Sequence, residues 1–184
     1  MTIIAGLDIE TTGLDQASGH RIIEVALLCY DLNSRTLIDR FVQRIDPERS
    51  IDPKAQAVHG IAYSTLVGEP KWETVAPLVS RKLIGCDYLI IHNKEFDEPF
   101  VSAELARVGL PFGRAGVHCT MEGGRWATMD GKSPKLQELC FALGVDYNPA
   151  LAHAAEYDVT KMMECFWRGL DRGFYRFPDL KAAA

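Results

Sequence analysis

The sequence predicts an α/β fold, a mixed sheet with helices on its faces. Three observations carry that prediction. Three strand-like apolar segments open the chain, the rest alternates helix-like and strand-like stretches, and no linker is long enough to divide the chain. The first strands are expected over residues 3–9, 21–30 and 37–45. Thr12-Gly13-Leu14 through Gly19-His20 has turn composition, and Asp31-Leu32-Asn33-Ser34 suits a hairpin, so the three should form an antiparallel meander. A stretch punctuated by Pro47, Pro53 and Pro70 then leads to a helix over Trp72–Ile84, with Pro77 near its start, and to a short apolar strand over Tyr88–Ile91. Phe100, Ala103, Leu105 and Val108 mark a helix ending at Gly109, with Pro99 in its first turn, and residues 117–119 give a fifth strand. Ser133 and Pro134 are placed to cap and open the next helix, whose stripe is Leu136, Leu139, Cys140 and Leu143 and whose end is Gly144. In the last helix Val159, Met162, Met163, Phe166, Trp167 and Leu170 fall on one face, the pattern of core packing. The whole of 1–184 is expected to be one domain, with 173–184 as a short tail. Its aromatic segment, 173–178, should fold back on the body, the alternative being to stack on single-stranded nucleic acid or dock on a partner.

Composition narrows the class. At 184 residues, 47% hydrophobic and 24% charged, the chain is that of an ordinary globular domain and not a disordered one. No apolar run approaches the roughly 18 to 20 residues of a membrane span, and the N-terminus has no basic region. An intracellular (cytoplasmic), reducing setting with no membrane association is therefore expected. Five scattered cysteines without a CxxC pair suggest reduced core residues. A net charge of -5 supplies no global field for nucleic acid, so any polyanion must be held locally.

The chemistry-bearing residues are few. Asp8 and Glu10 alternate with Ile9 at the end of the first strand, so both carboxylates project to one face. Their repulsion raises a pKa unless a cation neutralises it, and hard divalent ions take such oxygen ligands. A bare pair of this kind also fits a solvated strand end. Asp97 follows the strand over Tyr88–Ile91 and fits either such a site or a helix N-cap. Asp158 begins the last helix, and His153, five residues earlier, belongs to the preceding loop. An imidazole beside a metal can take a proton from water, although a single histidine is often structural.

Together these residues stand in a recognisable order. Gly6-Leu7-Asp8-Ile9-Glu10-Thr11-Thr12-Gly13-Leu14, then His92-Asn93-x-x-Phe96-Asp97, then His153-x-Ala155-x-x-Asp158 resemble the three motifs of the DEDDh 3′-to-5′ exonucleases. The likeness extends to residues 21–25, 57–61 and 136–144, and so covers roughly residues 3 to 171. It implies a ribonuclease H-like five-stranded mixed sheet flanked by helices. It also implies two divalent metal ions, Mg2+ or Mn2+, held by Asp8, Glu10, Asp97 and Asp158, with His153 as general base. Thr11, Thr12 and Leu14 match positions that contact or wedge the terminal nucleotide, partly through backbone N–H groups. His59 and Asn93 match positions near substrate, and Phe96 matches one that stacks on a base or packs in the core, of which packing is expected. Bound cations would also explain how an acidic protein holds a polyanion.

The implied function is removal of nucleoside 5′-monophosphates from 3′ ends of DNA, with single strands favoured, in proofreading beside a separate polymerase subunit or as stand-alone trimming. An RNA 3′-end exoribonuclease uses the same site, and a non-catalytic nucleic-acid- or polymerase-binding module would not require all five residues. The sequence leaves the oligomeric state open. Lys94 and Glu95 stand where many relatives are less charged; the Lys94 stem is expected to lie across the surface with its ammonium in water, or to reach a phosphate. Cys119-Thr120 matches a position where relatives carry Asp-Thr or Cys-Thr, which gives this cysteine no redox role.

Overall fold

In the computed structural model, which describes residues 1–177, five strands form one mixed sheet. They are β1 (Ile3–Thr11), β2 (Ile22–Asp31), β3 (Leu37–Arg44), β4 (Tyr88–Ile91) and β5 (Gly116–Cys119), in the order β3-β2-β1-β4-β5. The meander β1-β2-β3 is antiparallel, whereas β4 runs parallel to β1 and β5 parallel to β4. The carboxyl ends of β1, β4 and β5 therefore share one rim. Six α-helices among the described residues accompany the sheet: α1 (Pro53–His59), α2 (Trp72–Ile84), α3 (Lys94–Arg107), α4 (Thr120–Gly123), α5 (Leu136–Leu143) and α6 (Ala155–Asp171). This is the mixed five-stranded sheet flanked by helices that the sequence predicts.

The central strand is apolar because both its faces are covered. Ala5, Leu7 and Ile9 pack with Trp72, Val75 and Val79 of α2 and with Phe100 and Leu105 of α3. Ile4, on the opposite face, packs with Val159, Met162, Met163 and Phe166 of α6. Gly6 shares that face, and a Cβ there would lie 2.7 Å from Val159 Cγ1 and 3.0 Å from Met163 Cγ. Its missing side chain lets α6 lie directly on β1, which carries the start of α6 to the rim. On the other edge of β1, pairing with β4 covers only Ile4, Ala5 and Gly6. Beyond Gly6 that edge is open, and the chain leaving β4 turns there into α3.

Three helix starts differ from the sequence expectation, each for a local reason. Residues 53–59 form α1, because Asp52 accepts from the Lys54 N–H at 2.7 Å and Pro53 occupies the first turn, so a proline that reads as a breaker is a helix starter. α3 begins at Lys94, with the Asn93 carbonyl accepting from Phe96 and Asp97 N–H groups at 3.0 and 3.1 Å. Asp97 is therefore inside the first turn and is not the cap, and Pro99 sits one turn further in than expected. α5 begins at Leu136; Lys135, not Ser133, takes the cap position, and its N–H donates to the Glu138 carboxylate at 2.8 Å.

The tail folds back as expected over residues 174–177. Tyr175 lies against Gly169, where a Cβ would be 2.3 Å from its ring, and its hydroxyl donates to the Thr120 carbonyl at 3.3 Å. Phe174 stacks on Trp126 with centroids 3.9 Å apart, and Phe177 packs on Tyr88. Pro178 and the rest of the expected tail lie outside the described residues. All five cysteines are free and buried. No helix among the described residues is long and apolar enough to cross a membrane.

Replacing Gly6 by valine should lower unfolding free energy by about 1–3 kcal/mol, the ordinary cost of overpacking, as read by the urea midpoint. An unchanged midpoint would contradict the close approach of α6 to β1.

Candidate functional site

Strand alternation sends Asp8 and Glu10 toward the α6 face of the sheet, Asp8 half-buried and Glu10 buried. Asp97, in the first turn of α3, is buried, and the Ile9 N–H of β1 opposes the rise of its pKa. Asp158 stands in the first turn of α6. His153 precedes that helix in an exposed loop, with a left-handed φ of 63°. Its backbone N–H donates to Asp158 Oδ2 at 2.8 Å, and the Tyr147 hydroxyl donates to Asp158 Oδ1 at 3.5 Å. Ligand atoms of Glu10, His153 and Asp158 all lie within 4.8 Å of one another. The rim thus brings together all four acids and the histidine.

The cluster is under electrostatic stress. Burial first, then the charges of Asp97, Glu10, Asp158 and Glu24, push the Asp8 carboxyl well above its ordinary range. Burial and the charges of Asp158, Glu24 and Asp97 push Glu10 up to about 9. Burial raises Asp97 to about 7 against the opposing N–H groups of Ile9 and its own backbone. Asp158 is raised by burial, with the His153 N–H and imidazole and the Tyr147 hydroxyl opposing. Every contribution acting on Asp8 and Glu10 disfavours the anion. The donor set is oxygen-rich and negative, so it fits a hard divalent cation such as Mg2+ or Mn2+, which would reverse the local charge.

The expected substrate-side residues divide by what they have free. Leu14 is 82% exposed beside the site, an apolar side chain left in water. Thr11 is buried, its hydroxyl donating to the Gly13 carbonyl at 2.8 Å. Thr12 commits all its polar groups internally. Its N–H donates to the Arg21 carbonyl, its carbonyl accepts from Asp52 N–H, and its hydroxyl meets Arg21 N–H and His20 Nδ1. Thr12 therefore shapes the loop and has no polar group free for a ligand. A Cβ at Gly13 would fall 2.3 Å from the His20 ring, which fixes glycine there. His59 ends α1, accepts from Ile61 N–H at 3.0 Å, and has its pKa lowered by burial, against the opposing Thr11 backbone and Glu24 charge. Asn93 is exposed at the cap of α3. Phe96 packs against the core, 5.5 Å from Phe100 between centroids, as expected. Lys94 departs from expectation: its ammonium is not in free water but pairs with Glu122 of α4 at 2.8 Å.

Two groups escaped the sequence reading. Tyr147 carries no motif signal. Glu24 could have been found, because the meander register sets it directly opposite Glu10.

Comparison with known proteins gives a consistent family. The family model for exonucleases matches residues 5–166. DNA polymerase III subunit epsilon of Pasteurella multocida is 31% identical over 166 residues, covering 87% of this chain and 65% of that protein. The structure of Escherichia coli exonuclease I in complex with a dA16 oligonucleotide superposes with a TM-score of 0.79 at 17% identity, covering 93% of this chain and 41% of that one. Exonuclease X in complex with 5′ overhanging duplex DNA gives 0.63 at 22% identity, covering 92% and 93%. The chain thus spans just under two thirds of the epsilon relative and about two fifths of exonuclease I.

Raised carboxylate pKa values set the sign of a pH effect. Without metal the folded state holds protons that the unfolded state has released, from the ordinary carboxylate range up to about 9. The stability these protons provide is full at low pH and is lost as pH rises through that window. The metal-free melting temperature should therefore fall between about pH 6 and about pH 8, and Mg2+ should raise it more at the higher pH. Glu10→Gln should melt higher than the parent without metal and lose most of the Mg2+ effect. Identical pH slopes for parent and variant, with no response to Mg2+, would contradict the electrostatics.

Proposed function

The chain belongs to the DEDDh exonuclease family, and on that premise we propose that it is a divalent-metal-dependent enzyme hydrolysing the 3′-terminal phosphodiester bond of DNA. The products are nucleoside 5′-monophosphates. The observation that carries this reading is the convergence of Asp8, Glu10, Asp97 and Asp158 with His153 at one rim, where the acids repel each other and call for cations.

In this mechanism Asp8, Glu10, Asp97 and Asp158 hold two divalent ions, Mg2+ or Mn2+. Ions bound there would offset charge at the scissile phosphate and lower the pKa of bound water. His153 takes the proton of the attacking water. Its loop position suits a general base, since the backbone is pinned to Asp158 while the side chain stays exposed to solvent. Leu14 wedges against the terminal nucleotide, Thr11 and Thr12 set the shape of the loop that carries it, and His59 and Asn93 line the approach. The DNA complexes of exonuclease I and exonuclease X support DNA as substrate, and the dA16 complex supports single strands. The epsilon relatives support action beside a separate polymerase subunit. Five free, buried thiols suit a reducing, intracellular setting.

The test is a time course on matched 5′-labelled single-stranded DNA and RNA with Mg2+, Mn2+ or EDTA. A ladder shortening from the 3′ end of DNA faster than RNA is expected, abolished by EDTA and by Asp158→Ala. His153→Ala should lower kcat by about 10²–10⁴-fold and change its pH profile. Near-normal cleavage by Asp158→Ala would overturn the ligand set, an unchanged His153→Ala profile would overturn the general base, and a preference for RNA would make the enzyme an exoribonuclease.

A further inference from the structure

We propose that Glu24 on β2 is a positioning residue, whose carboxylate tethers the first turn of α6 so that Asp158 and His153 face Glu10. The inference rests on the reading of the site given above and assigns a role outside the five motif residues.

The geometry starts from an unusual helix beginning. Ala154 holds the cap position of α6 and has no side chain to offer, so α6 has no local side-chain cap. The N–H of Ala155, a fully buried residue, would be left without a partner, a costly state. It donates instead to Glu24 Oε2 at 3.0 Å, from a strand 131 positions away in the chain. The other oxygen, Oε1, accepts from Arg44 Nε of β3 at 3.2 Å. Both Glu24 oxygens are thus in use. This fifth acid, which sits opposite Glu10 and acts on Asp8 and Glu10, thus joins β3 and the start of α6 through its two oxygens.

The tether acts on a segment already bent to a defined shape. His153 is in the left-handed region, and its N–H donates to Asp158 Oδ2 at 2.8 Å. Residues 153–158 are thus pinned from two sides, by Asp158 within the segment and by Glu24 from the sheet. A serine at 154 would stabilise the helix start through the next N–H groups, with no acid placed against Glu10 across the strands. What the remote acceptor adds is a fixed relation between the loop bearing His153 and the strand pair bearing Glu10. Further along α6, the contact of Val159 and Met163 with Gly6 holds the helix independently, so losing the tether should loosen the start of α6 and leave the fold intact.

The experiment compares the parent with Glu24→Ala, Glu24→Gln and the double variant Glu24→Ala/Ala154→Ser. Three quantities are measured: melting temperature, Mn2+ affinity of the substrate-free protein, and kcat and KM on single-stranded DNA. Glu24→Ala should lower kcat by about 10–100-fold with KM within about threefold, and weaken Mn2+ binding about tenfold. Glu24→Gln keeps an oxygen for the Ala155 N–H and should stay within about fivefold of the parent in kcat. The double variant should regain melting temperature but neither kcat nor Mn2+ affinity. Parent-like kcat and Mn2+ affinity in Glu24→Ala, or recovery of both in the double variant, would overturn the inference and leave Glu24 a helix cap only. A parent protein that binds Mn2+ in a Glu24-dependent way yet cleaves no DNA would instead overturn the proposed function and support the tether.

Discussion

The mutual repulsion of carboxylates at the end of β1 is the constraint around which the rest of the structure is arranged. Asp8, Glu10, Asp97 and Asp158 come from one strand and two helices, and each is held with its pKa above the ordinary carboxylate range. Such an arrangement costs stability in the absence of cations. It persists because the packing beneath it is apolar and close. α2 and α3 cover one face of β1 and α6 the other, with Gly6 removing the side chain that would hold α6 away.

Three different physical devices place the four acids. Alternation along β1 puts Asp8 and Glu10 on one face. The early end of β4 opens the edge of β1, and the first turn of α3 carries Asp97 to that rim, where the Ile9 N–H lowers its pKa. Asp158 is fixed by the seating of α6 on Gly6 and by hydrogen bonds from His153 and Tyr147. Because these devices are independent, the site combines a rigid strand with two helix starts. Leu14 and His153 are both left exposed. The net charge of -5 is then no obstacle to a nucleic-acid ligand, since cations bound by the rim acids would reverse the charge locally.

Much of this was legible in the sequence. The meander, the later alternation of helix and strand, and the stripe on α6 follow from periodicity, which reports which face of an element is apolar. Asp8 and Glu10 follow from strand alternation, and the loop position of His153 from its spacing to Asp158. What periodicity does not report is the partner of a polar group. Asp97 looked equally like a cap because the true start of α3 lies at Asn93, where the backbone carbonyl does the capping. α1 was hidden because Pro53 reads as a breaker until Asp52 is seen to cap it. The internal commitments of Thr12, the ion pair of Lys94 with Glu122 and the reach of Glu24 to Ala155 all join segments distant in sequence. No local pattern encodes them, although the register opposing Glu24 to Glu10 was within reach of a careful alignment of the two strands.

The most direct test of the central claim, that these repelling acids exist to hold cations, is anomalous diffraction from crystals of the protein soaked in Mn2+ and a nucleoside 5′-monophosphate. Two anomalous peaks roughly 3.5–4 Å apart among Asp8, Glu10, Asp97 and Asp158, lost in Asp8→Asn, are the expected result. No peak at the rim, with Mn2+ bound elsewhere or not at all, would contradict it.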